Sequence, residues 1–176
     1  GLPLPLRVRL SQSPVPALAM ALGRVLDLAY GHSSLSRQMA DELLTHQRED
    51  GSFGGDPLVT ACGAAALGRL LDEPVADDAD ILGRAHESAL AALGGMQDGQ
   101  GLFQCDNDRT DQQRELIAAF ILFLLAGDER FRTSVRMAEL LDWFDRRHNR
   151  LDDDTTRLWR MAMAEAPELE AASMAA

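Results

Sequence analysis

Two stretches of the chain share one frame, Q-x-x-x-G-x-F, set fifty residues apart. The first runs Gln47-Arg48-Glu49-Asp50-Gly51-Ser52-Phe53-Gly54-Gly55 and the second Gln97-Asp98-Gly99-Gln100-Gly101-Leu102-Phe103-Gln104. Each closes one Ala/Leu-rich segment and opens another. A period of this length signals a repeat architecture, in which one supersecondary unit stacks on the next to bury a shared core. A worn third copy falls on the same period, with Arg147 in the place of the Gln, Leu151 in that of the Gly and Asp153 in that of the Phe. Gln47, Gly51, Phe53, Gln97, Gly101 and Phe103 are therefore read as structural. Gly supplies turn geometry closed to other residues, Phe plugs the gap between hairpins, and Gln satisfies orphan groups at helix ends.

Around these turns the 3.6-residue period predicts helices. Residues 14–30 form the first, stopped by Gly31. Ser33 or Ser34 caps a second that runs to about residue 46. Asp56-Pro57 is an N-cap followed by Pro at the first helical position, and Pro74 ends that helix. Asp77 or Asp78 opens the next, closed by Gly94-Gly95. Thr110 and Gln113 make a capping box for a helix apolar nearly all round, which marks it as central. One amphipathic helix covers residue 130 or 131 to 147, and Asp153 or Asp154 opens the last, to about residue 164.

Leu2, Leu4, Leu6, Val8 and Leu10 alternate with Pro and Arg, which predicts an extended N-terminal arm over residues 1–12. The fold class is all-α: about seven helices stacked as antiparallel hairpins over residues 13–165, followed by a frayed tail at 166–176.

The net charge of −11 argues against a phosphate backbone or an anionic membrane as partner. All seventeen basic residues are Arg. The longest apolar run, residues 117–126, is about half of the ~20 residues a membrane span needs. No secretory signal is legible and the chain opens on Gly, so the expectation is a processed or trimmed cytoplasmic chain. Cys62 reads as a small core residue. Cys105-Asp106-Asn107-Asp108 with Asp111 is an acidic loop without calcium-loop spacing. His32, His46, His86 and His148 are scattered, so no metal is expected.

The paired turns resemble the repeat of the terpenoid cyclase and protein prenyltransferase superfamily. The first copy is the closer match, and the second lacks one Gly of the usual pair. The resemblance covers roughly residues 35–165 and implies a partial α/α toroid, in which the Gln and the aromatic residue tie neighbouring hairpins together. A full ring needs about twice the helices this chain has room for, so it implies an open arc or a ring closed by another copy. The zinc ligands of prenyltransferases have no counterparts. The matching helix starts read Asp111-Gln112-Gln113-Arg114, without Cys, and Asp154-Thr155-Thr156-Arg157, without His. No cofactor is expected.

Class II cyclases of that superfamily protonate an alkene with the middle Asp of D-x-D-D-T. Leu151-Asp152-Asp153-Asp154-Thr155 differs at the first position, and Asp153 flanked by Asp152 and Asp154 would be the acid. The same three residues also suit an N-cap with charges favoured by the helix dipole. Carbocation chemistry further needs aromatic walls, and six Phe, two Trp and one Tyr leave few to spare. The sequence thus predicts a non-catalytic binder of an apolar, isoprenoid-like molecule or of a protein, a second copy included. The alternative is an isoprenoid-processing enzyme with Asp153 as acid.

Overall fold

A computed structural model of the chain describes residues 1–73, 79–104, 110–167 and 169. Among these the protein is all-α, with nine helices and no strand. It divides into two compact units, Gly1–Ala92 and Leu93–Ala176.

The first unit holds α1 (Leu4–Leu10), α2 (Pro14–Asp27), α3 (Ser34–Thr45), α4 (Pro57–Asp72) and most of α5 (Ala79–Gly95). Ser13 caps α2, Ser33 caps α3, and Asp56 caps α4 by accepting the Leu58 N–H at 2.8 Å. α2 packs on both α3 and α4. α4 is buried almost all round, because its Ala and Gly positions let neighbours approach closely.

The N-terminal stretch differs from the expectation. It is the helix α1, not an extended arm. Pro3 occupies the N-cap and Pro5 lies in the first turn, where their missing N–H groups leave nothing unpaired. The alternating pattern then points two ways. Leu6 is buried, while Leu4 and Val8, one turn apart, face solvent. Arg9 ties α1 to the cap of α4 through an ion pair with Asp56 at 2.9 Å.

The second unit holds the end of α5, then α6 (Asp111–Leu125), α7 (Glu129–Ser134), α8 (Met137–Arg147) and α9 (Asp153–Glu165). Thr110 caps α6 by accepting the Gln113 N–H at 3.2 Å. α6 is the centre of this unit, buried from Glu115 to Leu122 and packed on α9. A single helix was expected over residues 130–147, but the chain breaks at Val135 and Arg136, which separate α7 from α8. Ala166 and Leu169 are buried, so the start of the expected tail packs on the unit. The predicted caps Asp77 and Asp78, the loop of Cys105, Asp106, Asn107 and Asp108, and the rest of the tail lie outside the described residues.

Candidate functional site

The two turns are built alike. The Arg48 N–H donates to Ser52 O and the Asp98 N–H to Leu102 O, each at 2.9 Å. Gly51 and Gly101 donate back to Arg48 O and Asp98 O at 2.9 and 3.0 Å. An isolated antiparallel bridge joins Gln47 to Phe53, and another joins Gln97 to Phe103. Gly51 and Gly101 have φ of +83° and +80°. A Cβ on them would lie 2.3 Å from Ser88 O and 2.6 Å from Leu140 N. Glycine is thus required twice over, for its dihedral and for the helix that lies against it. Phe53 and Phe103 are fully buried.

The glutamines perform related but distinct duties. Gln47 Nε2 donates to Gly51 O at 3.0 Å and to Ala85 O, on α5, at 2.7 Å. Gln97 Nε2 donates to Gly101 O at 2.6 Å, while its Oε1 accepts the Arg136 N–H at 2.7 Å. Each therefore ties its own turn to the element that follows on the repeat. An Asp braces each loop from a different position. Asp50 accepts the N–H and O–H of Ser52, and Asp98 accepts the N–H groups of Gln100 and Leu102.

At the third position Arg147 reaches a buried carboxylate instead of a turn. Its Nε lies 2.5 Å from Glu115 Oε1, and the indole Nε1 of Trp143 donates to the same oxygen at 3.1 Å. The guanidinium also sits 5.1 Å from the centroid of the Trp143 ring, a cation–π distance. Glu115 is 2% exposed, so its charge is held by these partners rather than by water. Arg114 reaches outward to Asp98 and Asp111. The Glu115–Trp143–Arg147 cluster was not foreseen. The only signal was a Glu beside the most apolar stretch of the chain.

The three aspartates stand at the start of α9 in unlike settings. Asp152 is the N-cap. Its Oδ1 accepts the Thr155 N–H at 2.8 Å, and its Oδ2 accepts the Thr155 hydroxyl and the Gln112 amide, both at 3.1 Å. Burial pushes its carboxyl up, but the hydrogen bonds from Thr155 and Gln112 outweigh it and hold the group below its ordinary value. Asp153 is exposed, and Asp154 pairs with Arg157 at 3.0 Å. An alkene-protonating acid needs a dry enclosure that keeps its proton in place. An exposed carboxyl beside a cap held in its anionic range does not have that setting. Trp159 stacks on Phe144 with centroids 4.4 Å apart, which leaves it engaged in packing.

A concave surface lies in the first unit. It is a mostly apolar cleft of about 90 Å³ lined by Gly31, Ser36, Ala40, Leu44, Leu70 and Ile81 among others. Ile81 is 50% exposed, and Tyr30 and Leu35, next in sequence to lining residues, are 61% and 53% exposed. Among the described residues no group of three or more His, Cys, Asp or Glu could hold a metal ion. No described helix is long and apolar enough to cross a membrane.

Compared with protein-family models, with curated proteins and with solved structures, the chain matches none.

Proposed function

We propose that this chain is a non-catalytic helical-repeat binding module that docks a protein through the apolar cleft of its first unit. The observation that carries the reading is the cleft itself, small and mostly apolar, with the half-exposed Ile81 in its lining beside Leu44 and Leu70. Pockets that enclose a drug-sized molecule are about 300–1,000 Å³. A cleft of about 90 Å³ suits one or two anchoring side chains of a partner better than a whole isoprenoid. A large apolar side chain such as Ile81, left half in water within a concavity, is what a protein interface presents before it is covered.

The paired glutamine turns support assigning the repeat to the α/α-toroid type of the terpenoid cyclases and protein prenyltransferases, kept here as scaffold. The exposure of Asp153 supports the non-catalytic half of the reading.

Native mass spectrometry of detergent-free protein, followed by denaturation, tests this. A two-chain species, or a complex with a co-purified protein, that is lost in Ile81→Arg while the circular dichroism stays unchanged is the expected result. Release of an isoprenoid or other lipid from a single chain would overturn it in favour of an apolar ligand.

A further inference from the structure

The break between α7 and α8 has a counterpart that is not broken. Fifty residues before Val135 and Arg136 stand Ala85 and His86, in the middle of the continuous helix α5. The glutamine of each repeat reaches this same place. Gln47 finds an intact helix and donates to the Ala85 carbonyl. Gln97 finds a helix interrupted at Arg136 and accepts the N–H that the interruption leaves over. A carboxamide carries both a donor and an acceptor, so it can serve either state.

We propose that the α7–α8 joint is a two-state element, held in its broken state by Gln97 and able to close into one helix over residues 129–147. Three observations support it. The amphipathic pattern runs through the joint without a Gly or Pro to stop it. Only Val135, at φ −118° and ψ 162°, and Arg136, at φ −76° and ψ 74°, depart from helical geometry. The contacts that hold the break are concentrated on one neighbour. The Arg136 N–H binds Gln97 Oε1, the Arg136 guanidinium binds Gln97 O, and Gly94 has room for the Ser134 carbonyl where a Cβ would lie 2.5 Å from it.

In the closed state the Arg136 N–H would bond to Arg132 O, one turn back. Gln97 would meet the carbonyl of residue 135 as Gln47 meets that of Ala85. The rearrangement has a consequence for the second unit. Phe131 on α7 and Leu140 and Phe144 on α8 are all fully buried, and straightening the chain between them moves one set off its seat. A ligand or partner that prefers one arrangement would shift the balance by its difference in affinity.

Two variants test this by Cα chemical shifts and amide exchange over residues 133–137. Gln97→Ala removes the side-chain part of the hold, the bond to the Arg136 N–H, and leaves the contact of the Arg136 guanidinium with the main-chain carbonyl of residue 97. The expected result is helical shifts at 134–136 and an Arg136 amide that stays protected, now by the helix. Non-helical shifts with an Arg136 amide exchanging about tenfold faster or more would mean a fixed break that had merely lost its partner, and would overturn the proposal. If Gln97→Ala fails to fold, the combined Thr133→Ala, Ser134→Ala and Val135→Ala variant decides. It leaves Gln97 intact and raises helix propensity at the joint. Helical shifts there support a two-state joint, and unchanged shifts overturn it.

Discussion

The ring of Phe53 occupies the space a side chain on Gly63 would need: a Cβ there would stand 2.5 Å from Phe53 Cε2. Gly in the middle of a helix costs about 1 kcal/mol relative to Ala, and in α4 that cost makes room for the plug of the first turn. Gly63→Ala should therefore lower stability, by about 1–3 kcal/mol in urea titrations, as overpacking outweighs propensity. In a Phe53→Leu background the same change should be near neutral, because the two sites are in contact and do not add. A Gly63→Ala protein more stable than the parent would show that the ring does not need this seat.

The helices with local signals were legible in the sequence. Ser33, Asp56 and Thr110 cap where their spacing put them, and Gly51 and Gly101 take the left-handed turns the frame required. What was not legible depends on partners distant in the chain. At the α7–α8 break the Arg136 N–H bonds to Gln97, 39 residues earlier, and the only local sign is the run Thr133-Ser134-Val135, weak helix formers without a Gly or Pro. The period-two start failed because two early prolines suit the first turn of a helix as well as an extended arm. For the candidate site, the sequence located Asp152, Asp153 and Asp154 but not their exposure. The cleft beside Ile81 has no motif at all.

Ala29 is the non-glycine residue with positive φ, 60°, among the described residues. It follows α2, where the Ala29 N–H bonds to Leu26 O at 2.9 Å and the Tyr30 N–H to Val25 O at 3.1 Å. That pair of bonds is a Schellman closure with Ala in the place usually held by Gly. Ala29→Gly should therefore raise stability by about 0.5–1 kcal/mol, since the left-handed residue is then free of its Cβ penalty. Thermal unfolding checks it, and a lowered midpoint would contradict it.

Glu115 and Arg147 should behave as a buried pair rather than a surface one. Removing one member leaves the other charge without compensation, which costs about 3–5 kcal/mol in a fully buried pair. The Arg147 side chain is 29% exposed, so about 2–3 kcal/mol is expected for Arg147→Ala once water is allowed to help. Glu115→Gln should cost less than Glu115→Ala, because its amide oxygen can still accept the Trp143 indole N–H. Denaturant titrations of the three variants rank them, and Trp143 fluorescence should shift most in Glu115→Ala.

Cys62 should be inert while the protein is folded. Burial, aided by the nearby charge of Asp56, pushes its thiol up to about 12, and the thiolate is the reactive form. In a Cys105→Ser background, a thiol reagent at pH 8 should label Cys62 only as fast as the first unit opens. Labelling should become immediate in denaturant. Rapid labelling of the native protein would show that the first unit is not closed over this face of α4.

Asp152 and Asp153 separate the capping role from the acid role. The folded-state value of Asp152 lies below its unfolded one, so its stabilising contribution is complete above the unfolded value of roughly 4. That contribution is lost as pH falls through the lower folded value. Asp152→Ala should cost about 1 kcal/mol at pH 7, and the gap to the parent should narrow from about pH 4 downward. Asp153→Ala, at an exposed position, should stay within about 0.5 kcal/mol of the parent. Unfolding of the three proteins between pH 7 and pH 2 makes the comparison. A flat Asp152→Ala gap across that range would mean the cap acts through its shape alone. A large Asp153→Ala cost would mean its carboxyl is held by the fold after all, and would reopen the case for a proton donor there.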